Sequence, residues 1–331
     1  MSVNVLKPGL LDTLQDRGRP GHAAIGVGRA GAMDLPAWRL ANALVGNRGD
    51  EAALECTLLG PTLRFEHATW IAITGAPIAA RVEGTDLPTW AACWLPAGSV
   101  LQLGRMAAGC RSYLAVRGGF DVAPVLGSRS SDLHARLGRA LQGGDTLPLG
   151  NTATDAAPSD HPHALPWRLD PQPWFDFAQA PLMLLPGSHG EQLDEASRQA
   201  LYTRTFRVGN DSNRTASRLD GTHLQLRAPL ELISEASLPG TMQLPPSGQP
   251  IVLMAEAPVT GGYPRIGQLA AVDLPHLAQR RPGDPVCFRR GTLEQAADRL
   301  RRRGQALDAL CRQIERRLQH DGFLSRMTGP A

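Results

Sequence analysis

Short β-type runs, each ended by a glycine or proline turn, restrict the possible folds of this chain more than any other feature. The 331 residues include 35 glycines and 27 prolines, a composition that favours turns and short strands over long helices. Short strands at such spacing are typical of β-sandwiches and β-barrels. A turn–strand phrase recurs in both halves and hints at two related β units. It reads PAGSVLQLG at 96–104, QGGDTLPLG at 142–150 and RPGDPVCFR at 281–289.

The predicted strands lie on both sides of a proline-rich, aperiodic stretch, which we interpret as a linker. Those before the linker are predicted at 3–6, 52–58, 62–66, 69–73, 78–82, 90–94, 99–103 and 111–116. Those after it are predicted at 182–187, 204–208, 223–227, 230–234, 250–256, 266–272 and 285–289. The chain is therefore predicted to be mainly β, with an N-terminal barrel domain at 1–150, a linker at 151–180, a C-terminal barrel domain at 181–291 and a helical tail at 292–331.

Helix-start signals predict two well-defined helices. Asp34 is a suitable N-cap, and Pro36 suits the first turn of a helix that continues to about Val45. Thr292 and Gln295 form a capping box at the start of a long C-terminal helix. The many arginines of that helix are typical of a solvated face.

The basic residues exclude several function classes. Lys7 is the only lysine, so the net charge of +3 comes from arginines scattered along the chain. No basic patch is interleaved with aromatic residues, which argues against nucleic-acid binding. There is no P-loop lysine and no lysine motif that could carry biotin.

Further sequence patterns argue against disulfides, secretion, membrane insertion, dinucleotide binding and metal binding. The five cysteines are widely spaced without a C-x-x-C motif, as expected for free thiols in a reducing compartment. No signal peptide and no run of about 18 apolar residues is present, so we expect a cytoplasmic protein that does not enter a membrane. A G-x-G-x-x-G pattern from Gly26 to Gly31 follows too short an apolar run for a dinucleotide site. No metal site is expected, because histidines and cysteines never cluster.

The turn at 261–265, Gly-Gly-Tyr-Pro-Arg, is the strongest candidate for a functional loop. Gly261 and Gly262 allow their backbone N–H groups to approach a ligand closely. Pro264 restricts Tyr263 to an extended conformation, so a phenol and the Arg265 guanidinium stand at the tip of a rigid loop. The alternative is a plain structural turn.

Three further polar side chains lie in loops that interrupt β runs. Arg129 suits a carboxylate or phosphate because guanidinium groups bind both in a bidentate manner. Glu235 follows an apolar run, where a carboxylate at the edge of burial can act as a base. Gln243 precedes the apolar run of residues 250–255. Turn chemistry is the alternative at each position, and only convergence in space would favour a site.

Taken in order, these loops resemble one protein family. The matching motifs are T-x-Q-D-x-G-R-x-G (13–21), G-A-M-D (31–34), L-E-x-T-L-x-G-P (54–61), G-S-R-S-S-D (127–132), S-x-R-x-x-x-R-L (212–219), Q-x-P-P-x-G-Q-P-I-V-L (243–253) and T-G-G-Y-P-R-I (260–266). The chain resembles the family of the C subunit of 5-oxoprolinase, also called allophanate hydrolase subunit 2, within the biotin-dependent carboxyltransferase superfamily.

The resemblance implies two cyclophilin-like β-barrel domains and an amide-acting hydrolase that is active only with partners. Its activity would be the ATP-dependent hydrolysis of 5-oxoproline to glutamate, with the B and A subunits of 5-oxoprolinase as partners and ATP in the complex, not necessarily on this chain. One alternative is a biotin-dependent carboxyltransferase that acts on urea or a related amide, with biotin carried by another protein. Another is a non-catalytic regulator of a histidine kinase.

We predict that Glu235, Arg129, Tyr263 and Arg265 lie within one cleft and hold an amide or carboxylate substrate, because each lies in a loop that interrupts a β run and matches a motif of the family. The predicted site comprises seven residues. Two are expected to be catalytic, Glu235 and Tyr263. Five are expected to bind substrate: Arg129, Gln243, Gly261, Gly262 and Arg265.

Overall fold

The computed structural model describes residues 1–47, 49–150, 159–174, 180–230 and 232–320. The chain divides into two compact units: the first comprises Met1–Gly18, Asp34–Asp176 and Ala306–Ala331, and the second comprises Arg19–Met33 and Phe177–Gln305. Residues 151–158 and 175–179 of the predicted linker lie outside the described residues. The domain boundaries given above remain a prediction.

Among the described residues of the first unit, twelve strands form two six-stranded sheets. In chain order they are β1 (Ser2–Lys7), β2 (Leu11–Gln15), β3 (Ala53–Thr57), β4 (Thr62–Phe65), β5 (Thr69–Gly75), β6 (Ile78–Val82), β7 (Thr85–Asp86), β8 (Ala92–Leu95), β9 (Val100–Met106), β10 (Arg111–Val116), β11 (Thr146–Pro148) and β12 (His163–Ala164). The strand orders are β11-β1-β4-β9-β6-β7 and β12-β8-β5-β10-β3-β2.

Burial follows the strand pattern in this unit. Strand β6 alternates buried and exposed residues, as expected when one face of a sheet is solvated. Strands β5 and β10 are buried along their whole length, and both contact helix α1 (Leu35–Leu44). The second sheet is therefore covered on both faces at its centre.

The described part of the second unit has ten strands, eight of them in one sheet. They are β13 (Leu182–Pro186), β14 (Phe206–Val208), β15 (Ala216–Asp220), β16 (Glu235–Ala236), β17 (Thr241–Gln243), β18 (Ile251–Leu253), β19 (Thr260–Gly261), β20 (Arg265–Leu269), β21 (Pro285–Val286) and β22 (Phe288–Arg290). The large sheet has the order β21-β14-β15-β18-β17-β20-β13-β22, and β16 pairs with β19 separately.

The chain connection nearly closes the eight-stranded sheet into a barrel. Its two edge strands, β21 and β22, are consecutive in sequence and separated only by Cys287. One short segment therefore covers both edges, which would otherwise expose unpaired backbone groups. Core side chains such as Leu184, Phe206 and Met242 fill the unit.

The described residues form three further α-helices besides short 3₁₀ turns: α2 (Glu195–Thr203), α3 (Leu274–Ala278) and α4 (Leu293–His320). The predicted caps are confirmed. Asp34 accepts a hydrogen bond from the Ala37 N–H at 3.1 Å, and Thr292 and Gln295 exchange hydrogen bonds at 3.2 and 3.3 Å. Residues 293–305 of α4 group with the second unit, and residues 306–320 group with the first.

The prediction of a mainly β chain with barrel sheets, few short helices and a C-terminal helix is confirmed. Individual strands differ. Residues 223–225 and 232–234 form no strand, whereas β15 and β17, which we did not predict, lie inside the large sheet. These two short strands form because neighbouring strands supply their backbone hydrogen-bond partners.

No helix in the described part of the chain is long and apolar enough to cross a membrane. Within those same residues, no group of histidine, cysteine, aspartate and glutamate side chains could hold a metal ion.

Candidate functional site

Arg265 is the centre of a polar cluster in the second unit. Its guanidinium forms an ion pair with the Glu235 carboxylate, and its NH1 donates to the Ala236 carbonyl at 3.0 Å. Strand β16, which carries Glu235 and Ala236, is held in place by antiparallel pairing with β19. The structure thus brings together two predicted site residues that are 30 positions apart.

Glu235 lies in a different environment from the one that we predicted. Its side chain is 47% exposed, against 24% for Arg265, because the apolar run before it does not form a buried strand. Ile233 in that run is 88% exposed. The carboxylate is therefore held by a neighbouring guanidinium rather than by burial, and an exposed pair of this kind contributes little to stability.

His189 fixes the backbone of Arg265 from the other side. Its Nδ1 accepts a hydrogen bond from the Arg265 N–H at 3.1 Å, and its own backbone N–H donates to the Arg265 carbonyl at 2.9 Å. Burial and the nearby Arg265 charge lower the pKa of His189. The neutral ring therefore carries its proton on Nε2, which remains able to donate.

Sequence reasoning missed His189. The signal was present in the turn Pro-Gly-Ser-His-Gly at 186–190, which ends strand β13 just as the other polar loops end their strands. Only the pairing of β13 with β20 places this turn beside Arg265.

Gln243 packs directly against Gly261. The Gln243 side chain is 3% exposed, and its Nε2 has no hydrogen-bond acceptor among the described residues. A Cβ added to Gly261 would lie 2.5 Å from that Nε2. Glycine at position 261 is therefore required for the backbone to approach the carboxamide closely. The structure thus also brings together the predicted residues Gln243 and Gly261.

Gly262 and Tyr263 form the exposed tip of the same loop. The nearest atoms to a Cβ at Gly262 are the Ser234 Oγ at 3.6 Å and the Leu232 oxygen at 3.8 Å, so this position has ordinary space. Tyr263 is 46% exposed. The phenol is thus accessible to a ligand. It lies two residues after Gly261, the glycine that contacts Gln243.

Arg129 lies in the first unit, in a loop built around the buried Asp16. The Asp16 carboxylate accepts hydrogen bonds from the Ser128 hydroxyl at 2.6 Å and the Arg129 N–H at 2.6 Å. The Arg129 guanidinium pairs with Asp121 at 3.1 Å, and the two side chains are 33% and 60% exposed. Two motifs separated by more than 100 residues therefore meet here through Asp16.

A buried ion pair in the second unit joins two other loops and has a structural role. Arg214 and Glu256 form an ion pair at 2.6 Å, with both side chains 2% exposed. Arg214 also donates to the Gly31 carbonyl at 2.7 Å. Because buried charges need such compensation, this pair organises the loops around it and offers no accessible group to a ligand.

The cluster around Arg265 can bind an anion and polarise a carbonyl. It contains a guanidinium with an exposed carboxylate partner and a neutral imidazole, and the loop before Arg265 adds a glycine against a buried carboxamide and an exposed phenol. Fixed donors of this kind stabilise negative charge that develops on an amide oxygen. The described residues thus support a site for small amides or carboxylates in the second unit.

Comparisons with known proteins agree with the architecture. The family model described as carboxyltransferase domain, subdomain A and B, matches residues 25–290. The chain is 40% identical over 300 residues to the C subunit of 5-oxoprolinase from Escherichia coli K12, covering 89% of this chain and 93% of the relative. It is 35% identical over 308 residues to the C subunit of 5-oxoprolinase from Haemophilus influenzae, covering 92% of this chain and 96% of the relative.

A solved structure extends the comparison. The crystal structure of the Kluyveromyces lactis urea carboxylase superposes with a TM-score of 0.83 at 27% sequence identity. The match covers 95% of this chain and 29% of that chain. The chain therefore corresponds to less than a third of that longer protein.

Proposed function

The chain belongs to the carboxyltransferase domain family, subdomains A and B, and on that basis we propose that it is the C subunit of a cytoplasmic 5-oxoprolinase. In this proposal it acts with the B and A subunits in an ATP-dependent complex that hydrolyses 5-oxoproline to glutamate. The observation that carries the proposal is the near full-length similarity to the C subunit of 5-oxoprolinase from Escherichia coli, at 40% identity over 93% of that relative.

The ion pair between Arg265 and Glu235 suggests how 5-oxoproline binds. The substrate carboxylate replaces Glu235 at the Arg265 guanidinium, an exchange that costs little because an exposed ion pair is worth about 0–1 kcal/mol. Arg129, in the first unit, stays a separate proposed ligand for a carboxylate, because its partner Asp121 is also exposed. His189 positions Arg265 by holding its backbone on both sides.

The released Glu235 then acts on water. Its carboxylate takes a proton from a water molecule as the water oxygen bonds to the lactam carbonyl carbon. Tyr263 and the N–H groups of Gly261 and Gly262 donate to the oxyanion that forms. The carbon–nitrogen bond breaks, the proton passes to the leaving nitrogen, and the open chain is glutamate. Gln243 supports the loop through its contact with Gly261.

The residues do not fit a P-loop site for ATP or an attachment site for biotin. The single lysine, Lys7, is exposed at the end of β1, opposite Thr62, and no glycine-rich phosphate loop precedes it. In the proposed complex, any such lysine-dependent site belongs to a partner.

The structural match to a urea carboxylase favours one second candidate. A carboxyltransferase that passes a carboxyl group to urea or a related amide would also need a polarised amide held by fixed donors. Biotin would arrive on another protein. The relatives described above lend no support to a regulator of a histidine kinase, and we do not propose that role.

Reconstitution with the B and A subunits of the same organism separates the two candidates. We expect the complex to release glutamate from 5-oxoproline with ATP hydrolysis. The comparison reaction contains urea, bicarbonate, ATP and a biotin carboxylase with its biotinylated carrier, and we expect no carboxylated urea from it. Product from the second mixture alone would replace the first candidate with the second.

Tyr263→Phe tests the site within the reconstituted complex. Removal of one oxyanion donor typically lowers kcat by about 10²–10³-fold. We expect a loss of about 10-fold or more, with unchanged thermal stability because the phenol is exposed. Tyr202→Phe, on helix α2, is the matched control. A rate within about twofold of wild type would remove the phenol from the mechanism.

A further inference from the structure

A cavity of about 410 Å³ lies in the first unit between helix α1 and the last turns of helix α4. Its volume is in the range of pockets that hold small molecules. Three arginines line it (Arg17, Arg39 and Arg312), together with the acidic side chains Asp308 and Glu315. The proposed function uses none of these residues.

The guanidinium groups of this cavity are available to a ligand. Arg17 pairs with Asp50 at 2.8 Å and Arg39 pairs with Asp308 at 2.7 Å, with all four side chains between 42% and 58% exposed. Exposed ion pairs exchange partners at little cost. Arg312 is exposed and forms no ion pair with any residue in the described part of the chain.

The wall opposite α4 is rigid. Trp38 and Asn42 are 3% and 4% exposed, and the Asn42 Nδ2 donates to the Trp38 carbonyl at 3.3 Å and to the Glu51 carbonyl at 3.2 Å. Asn47 donates to the Asn42 Oδ1 at 2.7 Å and to the Val116 carbonyl at 2.9 Å. A wall held in this way loses little conformational freedom when a ligand binds.

The charged side chains that line the cavity indicate the class of ligand. The lining holds three guanidinium groups and two carboxylates, a formal charge of +1, and Asp50 outside the lining pairs with Arg17. The carboxyl end of α1 lies at the cavity, which Ala43 and Gly46 line, and it adds about half a negative charge. Arg312, which forms no ion pair with any described residue, is therefore the guanidinium left for a ligand. We propose that this cavity binds a small oxyanion, a carboxylate or a phosphate, through Arg312 with support from Arg17 and Arg39.

Calorimetric titration of the full chain tests the proposal. The titrants are sodium L-glutamate, sodium 5-oxoproline and sodium phosphate at one ionic strength, with sodium chloride as the reference. We expect saturable binding of at least one oxyanion at 1:1 stoichiometry for this cavity. Whether the carboxylates or phosphate bind identifies the source of the ligand.

Two variants locate the binding. Arg312→Ala removes the unpaired guanidinium and is expected to weaken binding by about tenfold or more, the effect of a charge-assisted contact worth about 1.4 kcal/mol. Ala43→Leu fills the cavity without a change of charge and is expected to weaken it similarly. Arg316→Ala, an exposed arginine on the same helix outside the lining, is the matched control and is expected to stay within about twofold.

Three results would overturn the proposal. One is the absence of saturable binding for all three oxyanions. Another is an equal effect of Arg312→Ala and Arg316→Ala, which indicates general charge screening by an adventitious ion only. The third is binding that survives Arg312→Ala and Ala43→Leu but disappears in Arg265→Ala, because that ligand occupies the site of the proposed reaction.

Discussion

At the scale of single residues, Gly261 shows how the absence of a Cβ atom permits a close contact between a loop and a buried side chain. The glycine lies against the buried carboxamide of Gln243, whereas a Cβ at its neighbour Gly262 would make only ordinary van der Waals contacts. Two adjacent glycines in one motif therefore have different physical roles. The first permits close packing, and the second leaves backbone accessible.

This difference yields a paired prediction. Gly261→Ala places a methyl group 2.5 Å from the Gln243 Nε2 and must displace the carboxamide. We expect kcat/KM of the reconstituted complex to fall by about 10–100-fold, or roughly 1.4–2.7 kcal/mol. Gly262→Ala, where the nearest atom is 3.6 Å away, should keep activity within about threefold. Equal losses in the two variants would contradict the role of the Gln243 contact.

Asp12 is a second residue whose surroundings matter, because burial changes the pKa of its carboxyl group. Burial raises the pKa of Asp12 from 3.8 to about 6, although the Gly9 N–H and the Cys56 thiol partly offset the rise by hydrogen bonding. The folded protein therefore holds this proton more tightly than the unfolded chain does. The resulting stability is present below about pH 4 and is lost as the pH rises through 6.

Asp12→Asn should remove that pH dependence. The variant keeps an oxygen that can accept the Gly9 N–H and carries no charge, so we expect it to gain stability near pH 7, by up to about 3 kcal/mol for two pKa units. Urea unfolding at pH 4.5 and pH 7 measures the change. Asp160→Asn, at an exposed position in the same unit, is the control. A parallel pH profile for wild type and Asp12→Asn would contradict the prediction.

At the scale of elements, local signals determine the helices, while pairing determines the strands. Helix α4 begins where Thr292 and Gln295 satisfy each other's backbone N–H groups, as a capping box does in any context. Strands β21 and β22 contain only two and three residues. They exist because β14 and β13 offer them open edges.

Removal of the capping box should destabilise the start of α4. Thr292→Ala leaves the Gln295 N–H without its acceptor, and loss of an N-cap side chain typically costs about 1 kcal/mol. We expect a loss of that size in chemical unfolding. Gln305→Ala, at an exposed position further along the helix, should change stability by less than about 0.5 kcal/mol. Equal effects would mean that the cap contributes nothing.

At the scale of the whole molecule, the exposed site indicates dependence on partners. Tyr263 and the Glu235 side chain are 46% and 47% exposed, so water surrounds both a proposed oxyanion donor and the proposed base. Such donors are most effective where water is excluded. The proposed site is therefore incomplete on the chain alone, in agreement with the names of the relatives described above, which are subunits of an enzyme.

We accordingly expect the purified chain to form no glutamate from 5-oxoproline with ATP. Addition of the B and A subunits should start turnover, and the Tyr263→Phe chain should restore it poorly. Glutamate release is the measurement, and a complex without this chain is the control. Robust turnover by the chain alone would refute the dependence on partners.

The sequence by itself determined what local chemistry controls. Glycine and proline turns predicted a mainly β chain, Asp34 and Thr292 predicted the starts of α1 and α4, and the Gly-Gly-Tyr-Pro-Arg turn predicted an exposed loop. Backbone restrictions and caps act over a few residues, so they can be read without the fold.

Only the tertiary structure decided which of these loops meet. Glu235 pairs with Arg265, which is 30 positions away in the sequence. His189 accepts a hydrogen bond from the same arginine, 76 positions away. Strand order brings them together, and strand order depends on hydrogen bonds between segments that are distant in sequence. Burial is decided in the same way: Glu235 is exposed and Gln243 is buried because of neighbours that the local sequence does not specify.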